Sequence, residues 1–391
     1  MAFKLAERTG RLGVEGAFDV LQKARALEAQ GKHIIHLEIG EPDFPTPQHI
    51  VEAGKKALDD GYTHYGPTMG MPELRSAISD RLATTHGLQN VAIERIGIMP
   101  GAKPALFFAM MATLEKGDEV IYPDPGFPIY ASLVRFLEAV PVPIPLVEDR
   151  GFSFDLNKLK DSITPRTRML ILNSPHNPTG GVIPKEDILA IAEMVQGKDI
   201  VVITDEIYAS IYFGDEAPFS IAAVPGMADQ TVIVDGFSKS HAMTGWRLGY
   251  GVYPAWMSDA ISKLVVNSNS CTASFTQRAG LAALNGPQDD CQAMVAEFRK
   301  RRDAFCTAIA QVPGFRCPVP TGAFYAFPNI GGTGIPAREL AHKLLYDAGV
   351  ACLSGTAFGD FGDGYLRFSL ANSLENLVTA VGRIRDTLAK G

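Results

Sequence analysis

What most constrains this chain is a rhythm in its middle. Between residues 96 and 234, short apolar runs at 96–99, 120–122, 140–144, 169–172, 200–203 and 231–234 are separated by stretches long enough for crossover helices. Several runs are apolar throughout instead of alternating, which suits strands buried on both faces of a mostly parallel sheet. Two helical patterns precede the rhythm. Ile50, Ala53, Ala57 and Leu58 share a face after Thr46, expected as the N-cap with Pro47 in the first turn; Leu74, Ala77, Ile78 and Leu82 recur between Pro72 and Gly87. From about residue 254 the pattern changes to long helical stretches (254–285, 288–311), a strand at 323–327, a helix from Pro336 and a strand at 365–370. The first 45 residues do not resemble a sheet domain and are expected to pack with this second, smaller α+β unit. The expected division is 46–285 for a large α/β domain, with 1–45 and 286–391 forming the small one.

At 391 residues, 46% hydrophobic and 20% charged, the chain has the composition of a packed globule of two or three domains. The net charge is −7 with Lys and Arg scattered, so no surface for a phosphate backbone is visible and nucleic acid is not an expected partner. The five cysteines form no CxxC pair, and His64, His176 and His241 stand at no ligand spacing; a reducing, cytoplasmic setting and no metal are expected. Residues 1–8 contain no signal-type apolar stretch, and the longest apolar run, 105–114, is far below the ~20 residues of a membrane span.

Ligands of an open parallel sheet bind beyond the carboxyl ends of its strands. The residues following the runs are Pro100-Gly101-Ala102-Lys103, Asn173-Ser174-Pro175-His176-Asn177-Pro178-Thr179-Gly180, Asp205-Glu206-Ile207-Tyr208 and Asp235-Gly236-Phe237-Ser238-Lys239. A helix start with small residues offers N–H groups to a phosphate, and Ser238 with Arg247 could complete an anion cradle. Lys239 in such a crevice is a candidate amine nucleophile for a carbonyl, and Asp205 a carboxylate for a cationic ring nitrogen. Pyridoxal 5'-phosphate has all three properties.

These motifs, with Gly40-Glu41-Pro42-Asp43-Phe44, Tyr62-Thr63-His64-Tyr65, Met243-Thr244-Gly245-Trp246-Arg247 and Arg367 in Tyr365-Leu366-Arg367-Phe368-Ser369, make the chain resemble the fold type I, class I aminotransferases, the aspartate aminotransferase family, from about Gly13 onward. The resemblance implies a mostly parallel seven-stranded sheet in the large domain and a small α+β domain from both termini. It implies that Lys239 tethers the cofactor and moves the proton at the substrate carbon. Asp205 would hold the pyridine nitrogen protonated, Asn177 and Tyr208 would bond the ring oxygen, and Phe127 would stack on the ring. Gly101, Ala102, Lys103, Ser238 and Arg247 would cradle the phosphate, with Tyr65 reaching in from the partner of a homodimer. Arg367, with Gly40 and Asn177, would hold the substrate α-carboxylate. The substrates implied are an L-amino acid and a 2-oxo acid in a ping-pong exchange.

The chain departs from dicarboxylate-dedicated members in having no arginine in Val266-Asn267-Ser268-Asn269-Ser270-Cys271. Lys103 is an alternative counter-ion for a side-chain carboxylate, whereas Phe18, Phe358 and Phe361, if they line the cleft, favour an apolar or aromatic side chain. Other Cα chemistry on the same fold, such as a β-C–S lyase, a decarboxylase or a racemase, is the rival reaction class. A ligand-sensing domain of a transcription regulator would need a DNA-binding domain, and only about 40 residues precede the first motif. Gly331-Gly332-Thr333-Gly334 follows no parallel strand and reads as a turn.

Overall fold

The apolar runs become strands with almost no exposed residue, and their two faces carry separate cores. The computed structural model describes residues 3–390. Met1, Ala2 and Gly391, which the reading above included in the N-terminal stretch and at the end of the small domain, lie outside the described residues. After the short β1 (Ile35–His36), the central sheet is built from β2 (Ile96–Met99), β3 (Glu119–Asp124), β4 (Val140–Val147), β5 (Ser153–Phe154), β6 (Thr167–Asn173), β7 (Val201–Asp205), β8 (Thr231–Gly236) and β9 (Gly249–Val252). Their spatial order is β2-β9-β8-β7-β6-β3-β4-β5. The pairs β4/β3, β3/β6, β6/β7 and β7/β8 are parallel, and β9 is antiparallel to both neighbours. The sheet has one strand more than the seven expected: β5, two residues long, pairs antiparallel with β4. β4 carries Pro141, Pro143 and Pro145, whose missing N–H groups confine it to the margin of the sheet, where only Leu146 and Val147 pair outward.

Alternation across the strands feeds the two cores. Ile171, Ile203 and Val234 pack with Ala105, Ala109 and Met110 of a helix at residues Ala102–Thr113. Leu170, Leu172 and Val202 pack with Ile188 and Ile191 of the helix Lys185–Val195 on the other face. Each such Ile, Leu, Val or Met side chain, fully buried, contributes roughly 1.5–3 kcal/mol. The first four α-helices are α1 (Gly16–Glu28), α2 (Gln48–Asp59), α3 (Pro72–Thr85) and α4 (Ala102–Thr113).

The N-terminal segment joins the C-terminal unit, since β1 pairs in parallel with a strand at Val350–Ala351. The other strands there, Tyr325–Ala326, Leu353–Ser354 and Leu366–Ser369, form an antiparallel sheet with the last in the middle. Phe298 and Phe305 of the helix Asp289–Ile309, Phe368, Leu377 and Ile35 share its core. Tyr208, Ile211 and Phe213 belong to this core as well, although their sequence falls in 46–285. The Phe213 N–H donates to the Thr321 carbonyl at 2.8 Å, so the loop after β7 is shared between the two units.

Four local expectations are corrected. Thr46 does not cap α2, whose N-cap is Pro47. Its hydroxyl donates to the Ala242 carbonyl at 2.6 Å and accepts from Trp246 Nε1 at 3.1 Å, a tertiary pairing that replaces the local cap. The stretch 254–285 is two helices, Ser258–Ser268 and Ser274–Asn285, interrupted where Ser270 adopts φ +61° and Thr272 donates to the Ile98 carbonyl. The strand at 323–327 shrinks to Tyr325–Ala326, since Ala323 has φ +54°. Phe361 is half exposed and faces Lys158, not the cleft. Residues Gly331–Thr333 form a single 3-10 turn, as expected. No described helix is long and apolar enough to cross a membrane.

Candidate active site

In-register pairing of Asn173 with Asp205, and of Asp205 with Val234, sets the ends of β6, β7 and β8 level. Beyond this rim lies a cavity of about 360 Å³. Gly40, Ala102, Lys103, Phe127, Asn177, Asp205, Tyr208, Ser238, Lys239, Arg247 and Arg367 all line it. Gly101 sits directly behind it as the N-cap of α4. Tyr65 stands apart, 91% exposed, beside a second hollow lined by Tyr62, His64, Cys271 and Phe275. Phe18 and Phe358 also line the main cavity.

Asp205 is buried and forms no ion pair among the described residues. Burial pushes its carboxyl up to about 6, opposed by the Tyr130 hydroxyl, which donates to Oδ2 at 2.7 Å, and by the Ile207 N–H. A buried carboxylate without a cation is costly, and a cationic group on a ligand in the cavity would offset that cost. Asn173 Nδ2 donates to the Asp205 carbonyl and its Oδ1 accepts from the Asn177 N–H, which locks the two strand-end loops together. Tyr208 shares a hydrogen bond of 2.7 Å with Tyr325, both hydroxyls buried.

Lys239 follows Ser238 in the short helix Phe237–Ser240, and its Nζ donates to the Gly40 carbonyl at 2.5 Å. Burial draws the ammonium down to about 8. Glu41 opposes this, while the positive charges of Arg367, Lys103 and Arg247 reinforce it. A lysine so placed holds a larger neutral, nucleophilic fraction at neutral pH than an ordinary lysine does.

The phosphate cradle is shaped by absent side chains. Gly101 has φ +95°, which glycine adopts without strain, and a Cβ there would collide with the Arg247 guanidinium. Arg247 itself is held at φ +53° by the turn after Lys239, and its Nη1 donates to the Thr244 carbonyl at 2.8 Å. The N-terminus of α4, the buried Ser238 and Arg247 thus converge on one corner of the cavity, a donor set that fits a phosphate.

Arg367 occupies the middle strand of its sheet and is buried, so it is no solvated edge residue. Its Nη1 donates to Asn177 Oδ1 at 3.2 Å and its Nη2 to the Glu38 carbonyl. The guanidinium lies between the rings of Tyr325, 4.6 Å away, and Phe358, 4.9 Å away. Its Nε is buried with no partner, a donor suited to a carboxylate.

Sequence reasoning did not identify Tyr130, Tyr325, Asn173 or Glu15. Tyr130 and Tyr325 stand in apolar stretches where nothing distinguishes them from core aromatics. Asn173 had a usable signal, because it ends a buried strand in register with Asp205.

Comparison with known proteins agrees with this chemistry. The family profile described as "Aminotransferase class I and II" matches residues 32–384. An aspartate aminotransferase of Pyrococcus abyssi is 39% identical over 370 residues, 94% of this chain and 95% of that protein. An aromatic-amino-acid aminotransferase of Thermococcus litoralis is 36% identical, covering 92% of this chain and 93% of that protein. The crystal structure of the aspartate aminotransferase from Rhizobium meliloti superposes with a TM-score of 0.95 at 35% identity, covering 99% of both chains. The chain therefore belongs to the class I aminotransferases, enzymes that use pyridoxal 5'-phosphate to move an amino group between an amino acid and a 2-oxo acid.

Proposed function

We propose that the reaction is carried out by the residues gathered in the main cavity, with Lys239 as the residue that tethers the cofactor and then moves the proton at the substrate α-carbon. The observation that carries this reading is the placement of a lysine with a lowered pKa between a buried, unpaired carboxylate and a buried arginine with a spare donor, in one cavity. When bound, the cofactor supplies an electron sink for the charge that develops on the α-carbon. Asp205 would face the cationic ring nitrogen, Asn177 and Tyr208 would bond the ring oxygen, and Phe127 would cover the ring. Ser238, Arg247 and the backbone at Gly101, Ala102 and Lys103 would bind the phosphate. Arg367 takes the substrate α-carboxylate in a two-pronged grip, with Asn177 fixing its plane and the backbone at Gly40 alongside. In its neutral form Lys239 Nζ would accept the substrate α-proton and deliver it two atoms along, across the amino nitrogen, general acid–base work that contributes about 10²–10⁴-fold.

The exposed Tyr65 and the hollow beside it support a homodimer in which this tyrosine completes the partner's phosphate site. The division into domains 46–285 and 1–45 with 286–391 is kept for the chain as a whole, with the loop after β7 bridging them, and the protein is assigned to the cytoplasm. The test is an absorbance scan of cofactor-loaded protein with single L-amino acids, followed by a 2-oxo acid. The visible band is expected to bleach with the amino acid and return with the oxo acid. Release of ammonia and a 2-oxo acid with no acceptor present would favour the lyase, and full activity of Lys239→Ala would overturn the assignment of roles.

A further inference from the structure

Four cations line the cavity among the described residues, and three of them, Lys239, Arg247 and Arg367, already have work in the proposed reaction. Lys103 is the fourth, and its side chain is the one available to meet a second carboxylate on a substrate. It is not free to do so. Its Nζ pairs with the carboxylate of Glu15, and the same ammonium lies 5.4 Å from the centre of the Phe127 ring.

Glu15 immediately precedes α1 in the N-cap position, yet its side chain caps nothing. Its carboxylate lines the cleft instead, only 21% exposed, while Lys103 is 49% exposed. The negative charge is also felt by Arg367 and Tyr325, at the carboxylate-binding end of the cavity. The apolar part of the same cavity wall includes Phe18, Leu353 and Phe358. A dicarboxylic substrate entering here brings its second carboxylate to an ammonium that is already neutralised, and places it beside a like charge. A neutral side chain meets only the aromatic and aliphatic walls.

We propose that Glu15 is a specificity-determining residue: by pairing with Lys103 it makes the side-chain end of the cleft electroneutral, so that the enzyme takes amino acids with neutral, apolar or aromatic side chains in preference to dicarboxylic ones. This rests on the amino-transfer reading of the same site. The test compares wild-type holoenzyme with Glu15→Gln, a change that removes the charge and disturbs no capping bond. Two quantities are measured: kcat/KM for L-aspartate against L-phenylalanine, and the Kd of maleate against 3-phenylpropionate. The wild type is expected to favour phenylalanine and 3-phenylpropionate. Glu15→Gln is expected to move both ratios toward the dicarboxylate by about tenfold, as removal of a like charge at a partly enclosed contact should. A wild type that prefers aspartate, or ratios that stay within twofold in the variant, would overturn the proposal. Failure of the underlying reading has a different signature: wild-type holoenzyme that converts neither amino acid and binds neither probe, before any substitution is made.

Discussion

On the floor of the cleft the charges are kept apart, whereas at its mouth they are joined. Asp205 and Arg367 are both buried, and each is held by neutral donors or acceptors: Tyr130 and the Ile207 N–H on the carboxylate, Asn177 and the Glu38 carbonyl on the guanidinium. At the mouth, Glu15 and Lys103 neutralise one another across the gap between α1 and α4. The elements differ in the same sense. The floor rests on strand ends fixed by in-register pairing and by the Asn173 bonds, while the mouth rests on the first turns of two helices. A buried charge without a counter-charge is costly, and where it lines a cavity it marks a place at which a ligand can supply the opposite sign. A paired one offers no such vacancy. In the proposed reading the floor carries the reaction, and the mouth the choice of side chain.

The comparison breaks most visibly at Lys239. Among the described residues its side chain makes one hydrogen bond, to the Gly40 carbonyl, so Lys239→Ala should remain folded, with an unchanged far-UV dichroism spectrum and melting temperature, while turnover falls by at least about 10³-fold. Near-wild-type turnover would remove the floor's claim to the chemistry. Arg367→Lys comes next. A point-charge ammonium cannot reproduce a planar fork held between two rings, and kcat/KM should drop by about 10²-fold. Binding of maleate and of 3-phenylpropionate should weaken equally, because both carry the carboxylate that Arg367 is proposed to hold. A variant that shifted the ratio of the two, as expected for Glu15→Gln, would place Arg367 on the side-chain end and erase the distinction between floor and mouth.

Tyr130→Phe sharpens the account of Asp205. The phenol is one of two donors that restrain the upward push of burial on this carboxyl, which stands at about 6. Removing it lets the pKa rise further, so more of Asp205 is protonated at a given pH. The acid limb of cofactor binding to the apoprotein should move to higher pH, with affinity about tenfold weaker near pH 6, in line with the loss of one hydrogen bond to a charged group. An unmoved acid limb would show that Tyr130 only packs.

Most of the floor was legible in the sequence because it sits where strands end. Asn177, Asp205 and Lys239 each follow a run so apolar that its burial, and hence its end, could be read without a fold. Lys239 and Arg247 are also only eight residues apart, so their proximity is largely local. Tyr130 and Tyr325 touch the site only through tertiary packing, and in sequence they resemble any aromatic of a core. Glu15 gave no signal at all, for an acidic residue ahead of an amphipathic helix is an ordinary N-terminal charge. Thr46 shows the opposite failure, a correct local rule overridden by a better tertiary partner in Ala242 and Trp246.

The smallest expected effect concerns what anchors the mouth. α1 presents Glu15 at its first end, and its last residue, Glu28, accepts from His36 Nε2 at 3.1 Å. The same imidazole meets Glu38 Oε1 at 2.7 Å through Nδ1, and Glu38 is the buried residue whose carbonyl holds Arg367. The hydrogen bond to Glu38 leads in raising the His36 pKa to about 9; burial opposes it, and Glu28 adds to it. A group with a raised folded-state pKa stabilises the fold fully below its unfolded value, near 6.5, and that contribution is lost as pH rises through the folded value. His36→Gln should therefore lower the melting temperature most below pH 6.5, for a loss on the order of 1 kcal/mol given a pair that is partly solvated. The gap should close between pH 6.5 and 9. A gap that is constant across this range would mean that His36 acts by shape alone, and that α1 is not held by charge at its far end as it is at the cleft.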